Sequence, residues 1–128
     1  MERELKTLRI YLIATEFADK VWEIVSQWDW HSKKTVGEQW VRAADSIGAN
    51  IAEGYGRFHF AERLKFLYYA RGSEFESEHW LETAKRRKLI TEAQYTDLRH
   101  DLDELLPQLN GYIKRTREEM LKGVENKK

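Results

Sequence analysis

The sequence predicts an all-α fold, an antiparallel up-down four-helix bundle in one domain. Three observations predict it. The 128 residues contain a single proline and 34% charged residues. Apolar residues recur every three or four positions along most of the chain, and short polar breaks separate four such stretches. A chain of this length buries roughly two-thirds of its unfolded surface around one core.

The first helix is expected from about Glu4 to Gln27. Ile10, Ile13, Phe17, Val21, Ile24 and Trp28 recur at helical spacing, and Leu8, Leu12, Trp22 and Val25 form a second stripe beside them, so the apolar face is broad. The polar, aperiodic stretch Asp29 to Lys34 reads as a loop, after which Thr35-Val36-Gly37-Glu38 has the form of a capping box opening the second helix. That helix is expected to end around Gly54 to Gly56. The third helix runs from Phe60 or Ala61 to about Arg87, and Thr91-Glu92-Ala93-Gln94 supplies a capping box for the fourth. Tyr95, Leu98, Leu102, Leu105, Leu109, Tyr112 and Thr116 form the seam of the fourth helix. Pro107 falls within it and is expected to kink the helix at the carbonyl of Asp103 without ending it, since the pattern continues in register. Residues 1–121 form the domain, and the tail from Lys122 is expected to fray.

Composition excludes several functions. There is no cysteine, hence no disulfide scaffold, thiolate zinc site, iron–sulfur cluster or cysteine nucleophile. No apolar run approaches the ~20 residues of a membrane span, and charges begin at the second residue, so neither a signal peptide nor a membrane partner is expected and the location is read as cytoplasmic. The 22 basic and 22 acidic residues cancel, so any contact with nucleic acid must come from local patches or from charges gathered by assembly.

Two segments carry most of the remaining information. In the third helix Leu64, Tyr68 and Phe75 project to one side, and Phe66, Tyr69, Ala70, Trp80 and Ala84 to roughly the opposite side. A helix apolar on two faces needs two covers, and in a bundle this small the second is expected from another copy of the chain. In the second helix Trp40, Ala43, Ile47, Ile51 and Gly54 form an apolar stripe, while Gln39, Arg42, Ser46, Asn50 and Glu53 align as a polar ridge opposite. The ridge is either a binding surface or a hydrogen-bonded seam that sets helix register. The seam is preferred, because no activated nucleophile accompanies it. Gly54-Tyr55-Gly56 matches no phosphate-loop pattern.

The stretch RAADSIGANIAEGYGR (Arg42 to Arg57), followed by FLYYARGSEFE (Phe66 to Glu76), resembles the signature of the small bacterial four-helix-bundle family of the 23S ribosomal RNA intervening-sequence proteins. The similarity runs from about Phe17 to Leu109. The family's signature positions fall on Arg42, Ala43, Ser46, Ile47, Asn50, Ile51, Ala52, Glu53, Gly54, Gly56 and Arg57, and on Ala70, Gly72, Ser73 and Glu76. The resemblance implies an antiparallel bundle assembling as a ring-like homopentamer. It is related in shape to the accessory protein of diversity-generating retroelements, which works with a reverse transcriptase and its RNA. Many members carry a Phe-Pro pair before the second helix where this chain reads WDWHSKKTVGEQ, which implies a different conformation there.

Enzymatic readings find little support. Glu76/His79 and Asp97/His100 have the carboxylate-x-x-His spacing of di-iron bundles, but further inward carboxylates are required, and Asp97 and His100 lie off the apolar seam. No metal, cofactor or catalytic residue is expected, and His31, His59, His79 and His100 have no evident triad partners. Basic candidates for nucleic acid are Lys85, Arg86, Arg87 and Lys88, with Lys33 and Lys34 in the first connection and Lys114, Arg115 and Arg117 late in the fourth helix. Glu74, Glu76, Glu78 and Glu82 precede the basic run, so an assembled ring would carry an acidic band and a basic rim. Two function classes follow: a non-enzymatic RNA-associated oligomeric adaptor, or a protein-only scaffold that binds a partner.

Overall fold

The computed structural model describes Leu5 and residues 8–123. Among these residues all regular structure is helical: α1 (Arg9–Ser26), α2 (Glu38–Tyr55), α3 (Phe60–Arg86) and α4 (Glu92–Leu121). Each helix packs on the next and α4 returns to α1, which closes an up-down square. The connections are short, so the α1–α2 and α3–α4 connections share one end of the bundle and the α2–α3 connection lies at the other. The expected start at Glu4 and the tail beyond Gly123 lie outside the described residues.

The core is built from the predicted stripes. Phe17 of α1, Trp40, Ile47 and Ile51 of α2, Leu67 and Leu81 of α3, and Leu98, Leu102, Leu105, Leu109 and Ile113 of α4 are all fully buried or nearly so. Thr91 opens α4 with the predicted capping box: its hydroxyl accepts from the Gln94 N–H at 3.0 Å, and the Gln94 side chain accepts from the Thr91 N–H at 2.9 Å. Pro107 stands on the exposed side of α4, which continues through it to Leu121.

Three expectations are corrected. The stretch Asp29 to Lys34 is not a loop. Trp30–Ser32 form a helical turn that passes through a π-helical turn, Lys33–Gly37, directly into α2. Thr35 therefore caps nothing; its hydroxyl donates to the His31 carbonyl at 2.8 Å. The residues are polar because they line the outside of a helix, while the wide π turn rotates Val36 and Gly37 inward to be buried. The second correction concerns α3, whose core stripe is Phe60, Leu64, Leu67, Ala70, Glu74, Ser77, Leu81 and Ala84. Leu64 and Ala70 thus share one face, whereas Tyr68, Tyr69 and Phe75 are left exposed. On α1, Leu12 and Trp22 are also exposed, so the second stripe there is only partly covered.

The third correction places Glu74 in the core, not in a surface acidic run. The small residues of α2 set the helix spacing. A Cβ at Gly54 would lie 3.2 Å from the Arg63 carbonyl oxygen and 3.2 Å from the Phe66 Cβ of α3. One at Gly48 would lie 3.2 Å from the Thr15 side chain of α1. Because the neighbour at Gly54 includes backbone, Gly54→Val should lower unfolding free energy by about 1–3 kcal/mol. Chemical denaturation measures this, and an unchanged midpoint would contradict the close α2–α3 crossing.

Candidate functional site

The polar ridge of α2 satisfies itself. Ser46 Oγ donates to the Arg42 carbonyl at 2.8 Å, Asn50 Nδ2 donates to the Ser46 carbonyl at 2.8 Å, and Glu53 pairs with Arg57 one turn on. Ser46 and Asn50 are half-buried and Arg42 is exposed. All of these bonds stay within α2 and its C-terminal turn. Gly54 is buried at the α3 crossing and Gly56 is the C-cap of α2. In the second signature block Gly72 and Glu76 are exposed and Ser73 is half-buried; a Cβ at Gly72 would meet nothing within 4 Å. The structure therefore divides the signature residues among the core, the outer ridge of α2 and an open face of α3.

The unexpected polar feature lies between α3 and α4. Glu74 is fully buried, and as a carboxylate neither of its oxygens has a donor. As a carboxylic acid it donates to Glu78, one turn on. Burial first, then the hydrogen bond and negative charge of Glu78, push the Glu74 carboxyl up to about 9, with Arg99 pulling the other way. Glu74 is thus neutral at physiological pH. Arg99 organises the remaining carboxylates, meeting Glu78 at 3.1 Å, Glu82 at 3.4 Å and Asp103 at 3.1 Å. Tyr95 donates its hydroxyl to Glu82 at 2.6 Å. Glu78 and Glu82 are half-buried and paired with Arg99 at the α3–α4 contact, which leaves Glu76 as the exposed member of the expected acidic band. The sequence carried a signal for Glu74, since it stands four residues after Ala70 and seven before Leu81, in core register. The charge of its residue type concealed it.

The four basic candidates sit together at the end of α3, all exposed. Lys85 rests its ammonium 3.9 Å from the centre of the Tyr95 ring. Among the described residues no carboxylate lies within ion-pair distance of Arg86, Arg87 or Lys88. Lys88 adopts φ 61°, the left-handed conformation that favours glycine. The α3 terminus closes as a Schellman motif around it, with the Leu89 N–H donating to the Ala84 carbonyl at 2.8 Å and the Lys88 N–H to the Lys85 carbonyl at 3.0 Å. Lys33 and Lys34 occupy the π turn at the same end, Lys34 held by Glu38 at 3.0 Å. Lys114, Arg115 and Arg117 belong to the opposite end.

The carboxylate–histidine pairs do not converge. His79 and His100 are exposed, and Asp97 is ion-paired with Lys20 at 3.1 Å. Among the described residues no three of His, Asp and Glu form a group suited to a metal ion. No described helix is long and apolar enough to cross a membrane.

Residues 6–111 match the family described as 23S rRNA-intervening sequence protein. In structure the chain is similar to a protein of unknown function from the S23 ribosomal protein family of Bacteroides thetaiotaomicron. The two share 27% identity and a TM-score of 0.73, over 82% of this chain and 98% of the other. No curated protein matches the chain.

Two predictions follow from this geometry. The folded Glu74 holds its proton up to about pH 9, and the unfolded carboxyl loses it near its ordinary value of 4.5. Its contribution to stability is complete below pH 4.5 and is lost progressively as the pH rises towards 9. Glu74→Gln, neutral at every pH, should flatten that decline and melt higher than the parent at pH 8; parallel melting curves across pH would contradict the buried acid. Lys88→Gly should be about 1 kcal/mol more stable than Lys88→Ala, which removes the same charge but retains the strained Cβ. Equal denaturation midpoints would remove the strain argument.

Proposed function

We propose an RNA-associated adaptor role for this chain, which belongs to the 23S rRNA-intervening sequence protein family. The adaptor is non-enzymatic and acts through phosphate contacts from the end of α3. The observation that carries this reading is the run Lys85 to Lys88: four consecutive exposed cations, none of them ion-paired with a carboxylate among the described residues, and one held in a conformation that glycine would adopt at lower cost. Helix-dipole compensation alone accounts for one or two cations at a helix C-terminus and gives no reason to place a lysine at φ 61°. Lys33 from the π turn extends the same basic end.

Assembly multiplies this charge. Phe75 is 54% exposed on α3, while Trp22 (59%) and Leu12 (42%) are uncovered on α1, across the square. Between α1 and α2 runs a shallow groove lined by small residues, Ala14, Ala18, Gly48, Ala49 and Ala52, together with Tyr11, Thr15, Asp19 and Asp45. An aromatic projection on one face and a small-residue groove on another suit a head-to-tail contact, which closes into a ring when the rotation permits. The homopentamer implied by the family resemblance is the ring proposed, with Lys85–Lys88 of each subunit forming its basic rim. The same exposed aromatics favour the second reading, a protein-only scaffold that assists a partner such as a reverse transcriptase.

Light scattering of the purified protein, with its ultraviolet absorbance ratio read in low and high salt, separates the two. The adaptor predicts a particle of about five subunits carrying nucleic acid that high salt releases, because each phosphate contact contributes about 0.7 to 0.9 to the salt slope. The triple variant Lys85→Glu, Arg86→Glu, Arg87→Glu should keep the particle mass and lose the nucleic acid. Retention unchanged in that variant would end the rim assignment, and a monomeric parent would end the ring.

A further inference from the structure

We infer that the groove between the start of α3 and the end of α4 is a stacking site for unpaired bases of single-stranded RNA. It rests on the RNA-associated reading above and lies at the opposite end of the bundle from the Lys85–Lys88 rim. About 20 residues of α3 lie between the two, roughly 30 Å at 1.5 Å per residue.

The groove encloses about 580 Å³, with Leu64 and Leu121 on its walls, Tyr68 and Tyr69 presenting their rings, and Lys65 and Arg117 beside them. Tyr69 is 51% and Tyr68 37% exposed, so both rings are accessible. The aromatic surface continues around α3: Tyr69 meets the Phe66 ring edge-on at 5.7 Å, and Phe66 lies under Arg57 at 4.9 Å. An aromatic platform accepts any base, because every base offers a π face.

The charges around the groove select a polyanion. Lys65, Arg71 and Arg117 have no carboxylate within ion-pair distance among the described residues; their partners are rings and neutral groups. Lys65 lies 5.9 Å from the Phe66 ring centre, Arg71 lies over Tyr68 at 5.2 Å, and Arg117 donates to the Tyr68 hydroxyl at 2.7 Å. The Tyr68 bond uses one guanidinium N–H and fixes the plane of Arg117, leaving further donors for a phosphate. Along the α3–α4 and α1–α4 contacts, by contrast, Arg99 is neutralised by three carboxylates and Lys20 by Glu16, Asp97 and Asp101. The acids nearest in sequence, Glu62 and Glu118, are exposed and make no ion pair to these cations. Rings flanked by unneutralised cations match a strand whose bases are free, which a duplex cannot supply.

Fluorescence anisotropy with a labelled oligouridylate of ~12 nucleotides, within the usual site size of a single-strand binder, tests the assignment. Tyr69→Ala should weaken binding about tenfold and leave the salt slope unchanged. Tyr69→Phe should bind like the parent, and Lys65→Ala should lower the salt slope by about 0.7, the value for one single-strand contact. A duplex RNA of equal length should compete equally against the parent and Tyr69→Ala. Parent-like affinity of Tyr69→Ala, together with loss of binding in the Lys85/Arg86/Arg87 triple variant, would overturn the groove and leave the rim. Failure of the parent to bind the oligonucleotide would overturn both. A changed particle mass for Tyr69→Ala would reassign the groove to a contact between copies of the chain and overturn the proposal.

Discussion

The close passage of α2 between its two neighbours sets the geometry of the bundle. Its buried stripe contains only three large side chains, Trp40, Ile47 and Ile51, with alanine and glycine between them. Gly48 admits α1 and Gly54 admits α3, the latter against backbone. Helices that approach this closely have little freedom to slide, because each neighbour would have to cross a ridge of side chains. The remaining face of α2 must then be polar, and Arg42, Ser46, Asn50 and Glu53 fill it with bonds to their own helix or to Arg57.

With the helices held there, charge is sorted by location. Carboxylates concentrate along the α3–α4 and α1–α4 contacts, where Arg99 and Lys20 gather them into networks. Glu74 goes further and enters the core as a neutral acid, which avoids most of the cost of burying a charge but ties the fold to a proton. The consequence is that a chain with no net charge has ends that are not neutral. The α3–α4 connection carries Lys85–Lys88, and the α2–α3 end carries Lys65 and Arg117 beside exposed tyrosines. The two are therefore chemically different, four consecutive cations at the first and cations beside exposed tyrosine rings at the second.

The uncovered aromatics separate in the same way. Phe75, at mid-helix on α3, and Trp22 on α1 are exposed away from the cations. Tyr68 and Tyr69 are exposed among cations, with Arg71 over the Tyr68 ring and Arg117 bonded to its hydroxyl. A π turn at Lys33–Gly37, not a loop, joins the α1–α2 connection to the bundle, so the basic end is built on hydrogen-bonded backbone and presents its lysines from a defined helical surface.

Much of this was legible in the amino-acid order. Helix spacing of apolar residues, the Thr91–Gln94 box and the small residues of α2 are local signals, and they determined the fold class, the number of main helices and the α3–α4 connection. Other features depended on neighbours distant in sequence. Polar residues at 29–34 look alike in a loop and on the outer face of a helix, and only the packing of Val36 and Gly37 against the core distinguished them. The side of α3 that faces inward was ambiguous because its apolar residues cover more than half the helix, and contact with α2 and α4 selected Leu64, Leu67 and Ala70 over Tyr68 and Phe75. Glu74 carries a side chain that is expensive to bury as an anion; the helix itself sets Glu78 one turn away, but only the packing of α3 into the core removed Glu74 from water and made the protonated form the stable one.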